Sequence, residues 1–132
     1  MKKLLMFSYW IGIVADALAT ALLFSPTLAA IVLQPAPFEI SANFLYVARI
    51  AGALMLGWTV LLFWAQLKPI ERADILLITL FPVVTLLAVA GVLVAKSGQI
   101  PLSKMVPMFV LYGVIFGMFV PAYVWAKKQG GK

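Results

Sequence analysis

The sequence predicts an all-α, polytopic membrane protein: four transmembrane helices in an antiparallel bundle with both termini cytoplasmic. Three observations carry this reading. Apolar residues make up 65% of the 132 residues and charged residues only 11%, a balance outside the range of water-soluble domains. Four apolar runs, at about 4–24, 42–67, 73–95 and 105–126, each reach the roughly 20 residues that cross a bilayer. Finally, Lys2, Lys3, Lys68, Arg72, Lys127, Lys128 and Lys132 flank the runs on one side, against Lys96 and Lys104 on the other. Basic residues accumulate on the cytoplasmic side, so the bias sets the orientation.

Inside lipid a backbone amide finds no water, so each run must satisfy its own hydrogen bonds as a helix. The first run follows Met1-Lys2-Lys3 and resembles a secretory leader, but Asp16 interrupts its apolar region, and a retained first span is expected. Ser25-Pro26 supplies an N-cap and a first helical position for a short interfacial or kinked segment over 26–33. Pro35-Ala36-Pro37 then imposes an extended turn before the second run. The tight charged loop Lys68-Pro69-Ile70-Glu71-Arg72-Ala73-Asp74 makes spans two and three neighbours. Pro82 and Pro121 interrupt and kink the last two spans, and Pro107 falls in the first turn of its helix. The whole chain, 1–132, reads as a single four-helix transmembrane domain. Trp64 and Trp125 belong near the inner interface and Tyr46 near the outer one.

Asp16 and Arg49 are the charges in the interior of the runs, Asp74 standing at the edge of the third. A charge inside the bilayer costs several kcal/mol or more unless it is paired or wetted. Counting about 1.5 Å per residue from each span's entry puts both at nearly one level, so they are expected to form an ion pair locking helix one to helix two. The alternative makes Asp16 a proton or cation acceptor, or Arg49 an anion anchor. In a third arrangement Arg49 reaches the outer interface and Asp16 stands alone, which favours transport. Ser8, Thr20, Glu39, Thr79 and Thr85 are candidate polar lining beside them, and Thr hydroxyls near Pro82 also suit the carbonyls that it frees.

Small residues mark the packing faces. Ser8, Gly12, Asp16 and Thr20 repeat every four residues on helix one. Arg49, Ala53 and Gly57, with Gly52 beside them, do so on helix two, and Gly113 and Gly117 form GxxxG on helix four. Such seams let helix backbones approach closely, within one chain or between copies.

The absences narrow the chemistry. The chain has no Cys and no His, and four acidic residues in total. It therefore lacks a thiolate, an imidazole base, the usual haem, zinc and copper ligands, and the carboxylates for a metal cage. No phosphate loop or nucleophile elbow is present. No catalytic residue and no metal site are assigned, and a catalytic role is disfavoured. The +6 charge reflects topology, so nucleic acid is not a partner.

Tyr9-Trp10-Ile11-Gly12 with Asp16, Arg49 in the second run, and Lys68-Pro69-Ile70-Glu71-Arg72 resemble small prokaryotic four-span membrane proteins. In architecture these are similar to the broad DoxX-like group, whose name derives from a quinone-linked oxidoreductase subunit. The resemblance implies a multi-pass protein of a prokaryotic cytoplasmic (inner) membrane and transfers no catalytic residue. The leading expectation is a non-catalytic membrane component acting through helix packing, as an accessory subunit or a self-associating protein. Its partners are membrane lipids, further copies or a larger membrane complex. A small oligomeric transporter or channel using Asp16 and Arg49 is the second reading. A binding protein or enzyme subunit for a quinone or lipid, held near the Pro82 kink, is the third; no other cofactor is expected.

Overall fold

The computed structural model describes residues 1–33, 41–98 and 100–130, and its regular elements are all helical. Helix α1 spans Lys2–Phe24, α2 Pro26–Leu33, α3 Ala42–Gln66, α4 Asp74–Ile78, α5 Thr85–Ser97 and α6 Leu102–Gly130. A wide helical turn, Thr79–Val84, joins α4 to α5. Four stretches are long and apolar enough to cross a membrane: Lys2–Phe24, Ala42–Gln66, Asp74–Ser97 and Leu102–Gly130. The Pro35-Ala36-Pro37 turn, Glu39 and Lys132 lie outside the described residues.

Local chemistry sets the helix ends. Ser25 leaves the helical region (φ −111°, ψ 99°), which ends α1, and its Oγ accepts from the Leu28 amide at 3.4 Å to open α2. Ser41 does the same for α3, accepting from the Phe44 amide at 3.1 Å. Gly98 closes α5 in the left-handed region at φ 70°, a conformation that glycine adopts without steric cost.

Proline acts differently in the last two spans. Phe81 is extended (φ −125°, ψ 112°) and breaks the third span between α4 and α5; the Phe81–Pro82 peptide is cis. Thr85 bridges the break, its amide and its hydroxyl both bonding the Leu80 carbonyl, the hydroxyl at 2.8 Å. In α6, by contrast, the helix continues through Pro107 and Pro121 to Gly130, so Pro121 does not interrupt it. Because α6 begins at Leu102, Pro107 is an interior residue and not a first-turn one. Each proline removes one N–H and leaves the carbonyl four residues earlier without its helical donor. A bundle tolerates this where neighbouring groups supply donors, and beside the Pro121 gap Ser8 Oγ lies 3.4 Å from the Met118 carbonyl.

One buried cluster ties the spans together. Leu5, Tyr9 and Ile13 of α1 meet Leu62 and Ala65 of α3, Leu76 and Leu80 of the third span, and Phe119 and Ala122 of α6. These residues come from the start of α1, the end of α3 and the end of α6, so the shared core occupies one end of the molecule. Towards the other end contacts run between pairs: Gly52 of α3 on Leu23 and Phe24, and Gly91 of α5 on Met108 and Phe109.

Tyr9 anchors the shared core. Its ring is fully buried and its hydroxyl points at two loop carbonyls, Arg72 at 2.9 Å and Pro69 at 3.4 Å. The loop that joins α3 to α4 is thereby tied to α1. Replacing Tyr9 by Phe keeps the ring and removes the hydroxyl's bond to the loop, which is expected to lower unfolding free energy in detergent by about 1–2 kcal/mol. The midpoint of SDS-induced unfolding reads this directly; an unchanged midpoint would mean that the hydroxyl contributes nothing to the bundle.

Candidate functional site

Helix α1 presents a buried stripe of Ser8, Gly12 and Thr20, with Asp16 on the same face. At 3.6 residues per turn Asp16 stands near the middle of the stripe, flanked by Gly12, Ile13 and Thr20. Ser8 Oγ donates to the Leu4 carbonyl at 2.9 Å and Thr20 Oγ1 to the Asp16 carbonyl at 2.8 Å. The Asp16 side chain is partly exposed as a whole, yet its Oδ2 is buried with no hydrogen-bond partner among the described residues.

Glycine contacts give the register between α1 and α3. A Cβ on Gly12 would stand 3.1 Å from Leu62 Cδ1 and 3.2 Å from Phe119 Cζ. One on Gly52 would stand 3.3 Å from Leu23 Cβ and 3.0 Å from Phe24 Cε2. Facing positions on α3 therefore fall as those on α1 rise. Interpolation sets Asp16 opposite Trp58 and Thr59, and Arg49 opposite Pro26, beyond the end of α1. The offset is roughly nine residues, or about 14 Å along the axes.

The expected Asp16–Arg49 ion pair is therefore not formed. Among the described residues the ion pairs are Lys68–Glu71 at 3.0 Å and Lys127–Asp74 at 2.8 Å, both exposed. Arg49 itself is exposed. The physical reason is the relative height of the two helices. The first turns of α3 rise past Phe24, where α1 has already ended, so equal depths counted from each span's own entry do not coincide.

The other candidate residues divide. Thr79 is buried; its hydroxyl donates to the Ile75 carbonyl at 2.7 Å and accepts from Trp58 Nε1 at 3.2 Å, linking α3 to the third span. Thr85 serves the Leu80 carbonyl. Both hydroxyls are engaged in holding helices. Gly12 and Gly52 lie in helix contacts, whereas Ala53 and Gly57 point outwards with Arg49. Gly113 and Gly117 are exposed too, and a Cβ on Gly57, Gly113 or Gly117 would meet nothing within 4 Å. A small-residue seam supplies a smooth ridge; which ridge is used inside the chain depends on the rotation of the helix. That rotation turns Ala48, Gly52, Leu62 and Ala65 inwards on α3.

Several contributors were not singled out from the sequence as site or seam residues. Gly91 receives Met108 and Phe109, and its only advance signal is a glycine inside a helix, which costs about 1 kcal/mol relative to alanine and calls for a reason. An open apolar cleft of about 490 Å³ runs between α1 and α6, lined by Phe7, Trp10, Val14 and Leu18 on one side and Pro107, Val110 and Val114 on the other. No sequence signal announces it. No group of three or more His, Cys, Asp or Glu capable of holding a metal occurs among the described residues.

Set against protein families, curated proteins and solved structures, this chain finds no match. The geometry alone therefore carries the functional argument.

The register predicts that Asp16 and Arg49 are energetically independent. Unfolding free energies of Asp16→Asn, Arg49→Gln and the double variant are expected to add to within about 0.5 kcal/mol, as for separated sites. A coupling above about 1 kcal/mol would restore the ion pair.

Proposed function

We propose that this chain is a non-catalytic component of a prokaryotic cytoplasmic membrane that works through helix packing, associating with further copies of itself or with a membrane complex. The bundle is antiparallel and both termini are cytoplasmic. The opposed order of contacts between α1 and α3 supports the first statement. The second rests on basic residues collecting at one end, where Tyr9 bonds the Lys68–Arg72 loop and Lys127 of α6 pairs with Asp74.

The observation that carries the proposal is the outward placement of Gly57, Gly113 and Gly117, none of which has a neighbour within 4 Å of where a Cβ would stand. Each costs helix stability relative to alanine, by about 1 kcal/mol, with no packing against the described residues in return. Gly113 and Gly117 are one turn apart on α6, a spacing that admits the backbone of a second helix. Through such a contact the chain would act as a self-associating unit or an accessory subunit, needing no catalytic group.

A second reading follows from the cleft between α1 and α6. Its volume lies in the range of small-molecule sites, about 300–1,000 Å³, and its lining is apolar. It suits a lipid chain or a quinone better than a polar substrate. This site lies beside Pro107, away from the Pro82 break.

Gly113→Leu with Gly117→Leu is expected to convert an oligomer in nanodiscs or mild detergent to a monomer without lowering the unfolding midpoint, since a Cβ at either position meets nothing within 4 Å among the described residues and leucine favours the helix over glycine. Light scattering and single-molecule photobleaching measure the first, SDS titration the second. A wild-type protein that is monomeric and partner-free would overturn the proposal, and a lipophile retained in native mass spectra would then favour the cleft.

A further inference from the structure

We propose that Asp16 is an intramembrane binding site for a small cation, either a proton or an alkali-metal ion. This goes beyond the packing function and does not depend on it, since the outward seams of α3 and α6 play no part in the site.

Asp16 occupies the middle of the buried face of α1, one turn above Gly12, on which Leu62 of α3 and Phe119 of α6 close. Its Oδ2 is buried there without a hydrogen-bond partner among the described residues. A carboxylate in a membrane span, when ionised, needs a counter-charge; leaving it unpaired costs several kcal/mol.

The described part of the chain brings no counter-charge to it. On α3 the only cation is Arg49, exposed and about 14 Å away along the axes. Lys68 and Arg72 lie in the loop at the Tyr9 end, Lys68 pairing with Glu71 and Arg72 stacking on Trp64. On the third span Asp74 pairs with Lys127 of α6 at that same end, and Lys96 lies exposed in the last turn of α5. Lys104 and Lys128 are exposed near the ends of α6. The titratable hydroxyls on the packed helices are Tyr9, committed to the loop carbonyls, exposed Tyr46 on α3, and Tyr112 and Tyr123 of α6, both partly buried. None is a cation. No described residue supplies the charge that balances Asp16.

The chemistry of the ligand follows. A carboxylate is an acceptor, so it repels anions and gives an apolar molecule nothing to recognise. One turn further on, the Thr20 hydroxyl spends its proton on the Asp16 carbonyl at 2.8 Å, which leaves its oxygen lone pairs able to accept. An unpartnered, buried carboxylate oxygen suits a proton or a small hard cation. The partial exposure of the residue gives that cation a way in.

The test uses the full chain in liposomes and a hydrophobic carbodiimide. This reagent adds across its N=C=N bond to a protonated carboxyl group, the acid oxygen going to carbon and the proton to nitrogen. Mass spectrometric mapping is expected to find the adduct on Asp16, and none at position 16 in Asp16→Asn. Suppression by Na⁺, K⁺ or Li⁺ at fixed pH identifies an alkali ion as the ligand. Labelling that ignores these ions and disappears as pH rises identifies a proton. Unfolding midpoints give an independent readout: the wild type should respond to pH or to one alkali ion in a way that Asp16→Asn does not, and such a difference supports the site even if the reagent cannot reach it. No adduct on Asp16 at any pH, together with identical midpoint responses in the two proteins, overturns the proposal.

Discussion

The close approach at Gly12 is the contact on which the rest of the arrangement depends. A Cβ at this position would press on Leu62 from one side and Phe119 from the other, so the missing side chain brings three spans to one point. With no hydrophobic drive between helices inside lipid, association relies on close packing and on polar contacts. Gly12 supplies the first. Tyr9 and Ser8, three and four residues away on the same face, supply the second by reaching the α3–α4 loop and α6.

From that point the bundle is unequal along its length. The Tyr9 end holds the shared core and also the charged contacts: Lys127 with Asp74, Lys68 with Glu71, and Arg72 stacked 3.4 Å from the centre of the Trp64 ring. The far end is held by separate pairs of helices, and the third span is broken midway at Phe81. Thr79 and Thr85 stand on either side of the break and satisfy the Ile75 and Leu80 carbonyls. The polar residues that looked like a lining are thus mostly engaged in backbone repair and helix linkage. Asp16 is the exception, because its buried oxygen has no such engagement.

This separates two kinds of polar residue in a membrane span. Hydroxyls satisfy a neighbouring carbonyl four or five residues away on their own helix and need no partner from elsewhere. A carboxylate cannot donate when ionised, and no other helix offers it a cation at this depth. The same distinction explains why the hydroxyls of Ser8, Thr20, Thr79 and Thr85 are satisfied on their own helices, whereas Asp16 Oδ2 has no partner among the described residues.

The sequence by itself determined the four apolar helices, since only internally bonded segments of that length suit lipid, and the Ser25-Pro26 entry to α2, which is a local cap. It also pointed to Asp16 and to the Gly12 stripe, because helical spacing alone puts residues 8, 12, 16 and 20 on one face. Tertiary structure decided what those residues meet. The height of α3 against α1 separated Arg49 from Asp16, and the rotation of α3 and α6 turned Gly52 inwards and Gly57, Gly113 and Gly117 outwards. Neither quantity is encoded in periodicity. A helix carries its own faces in its sequence, but its sliding and turning against a neighbour are fixed only when side chains from both, such as Leu62 and Phe24, find the glycines that admit them.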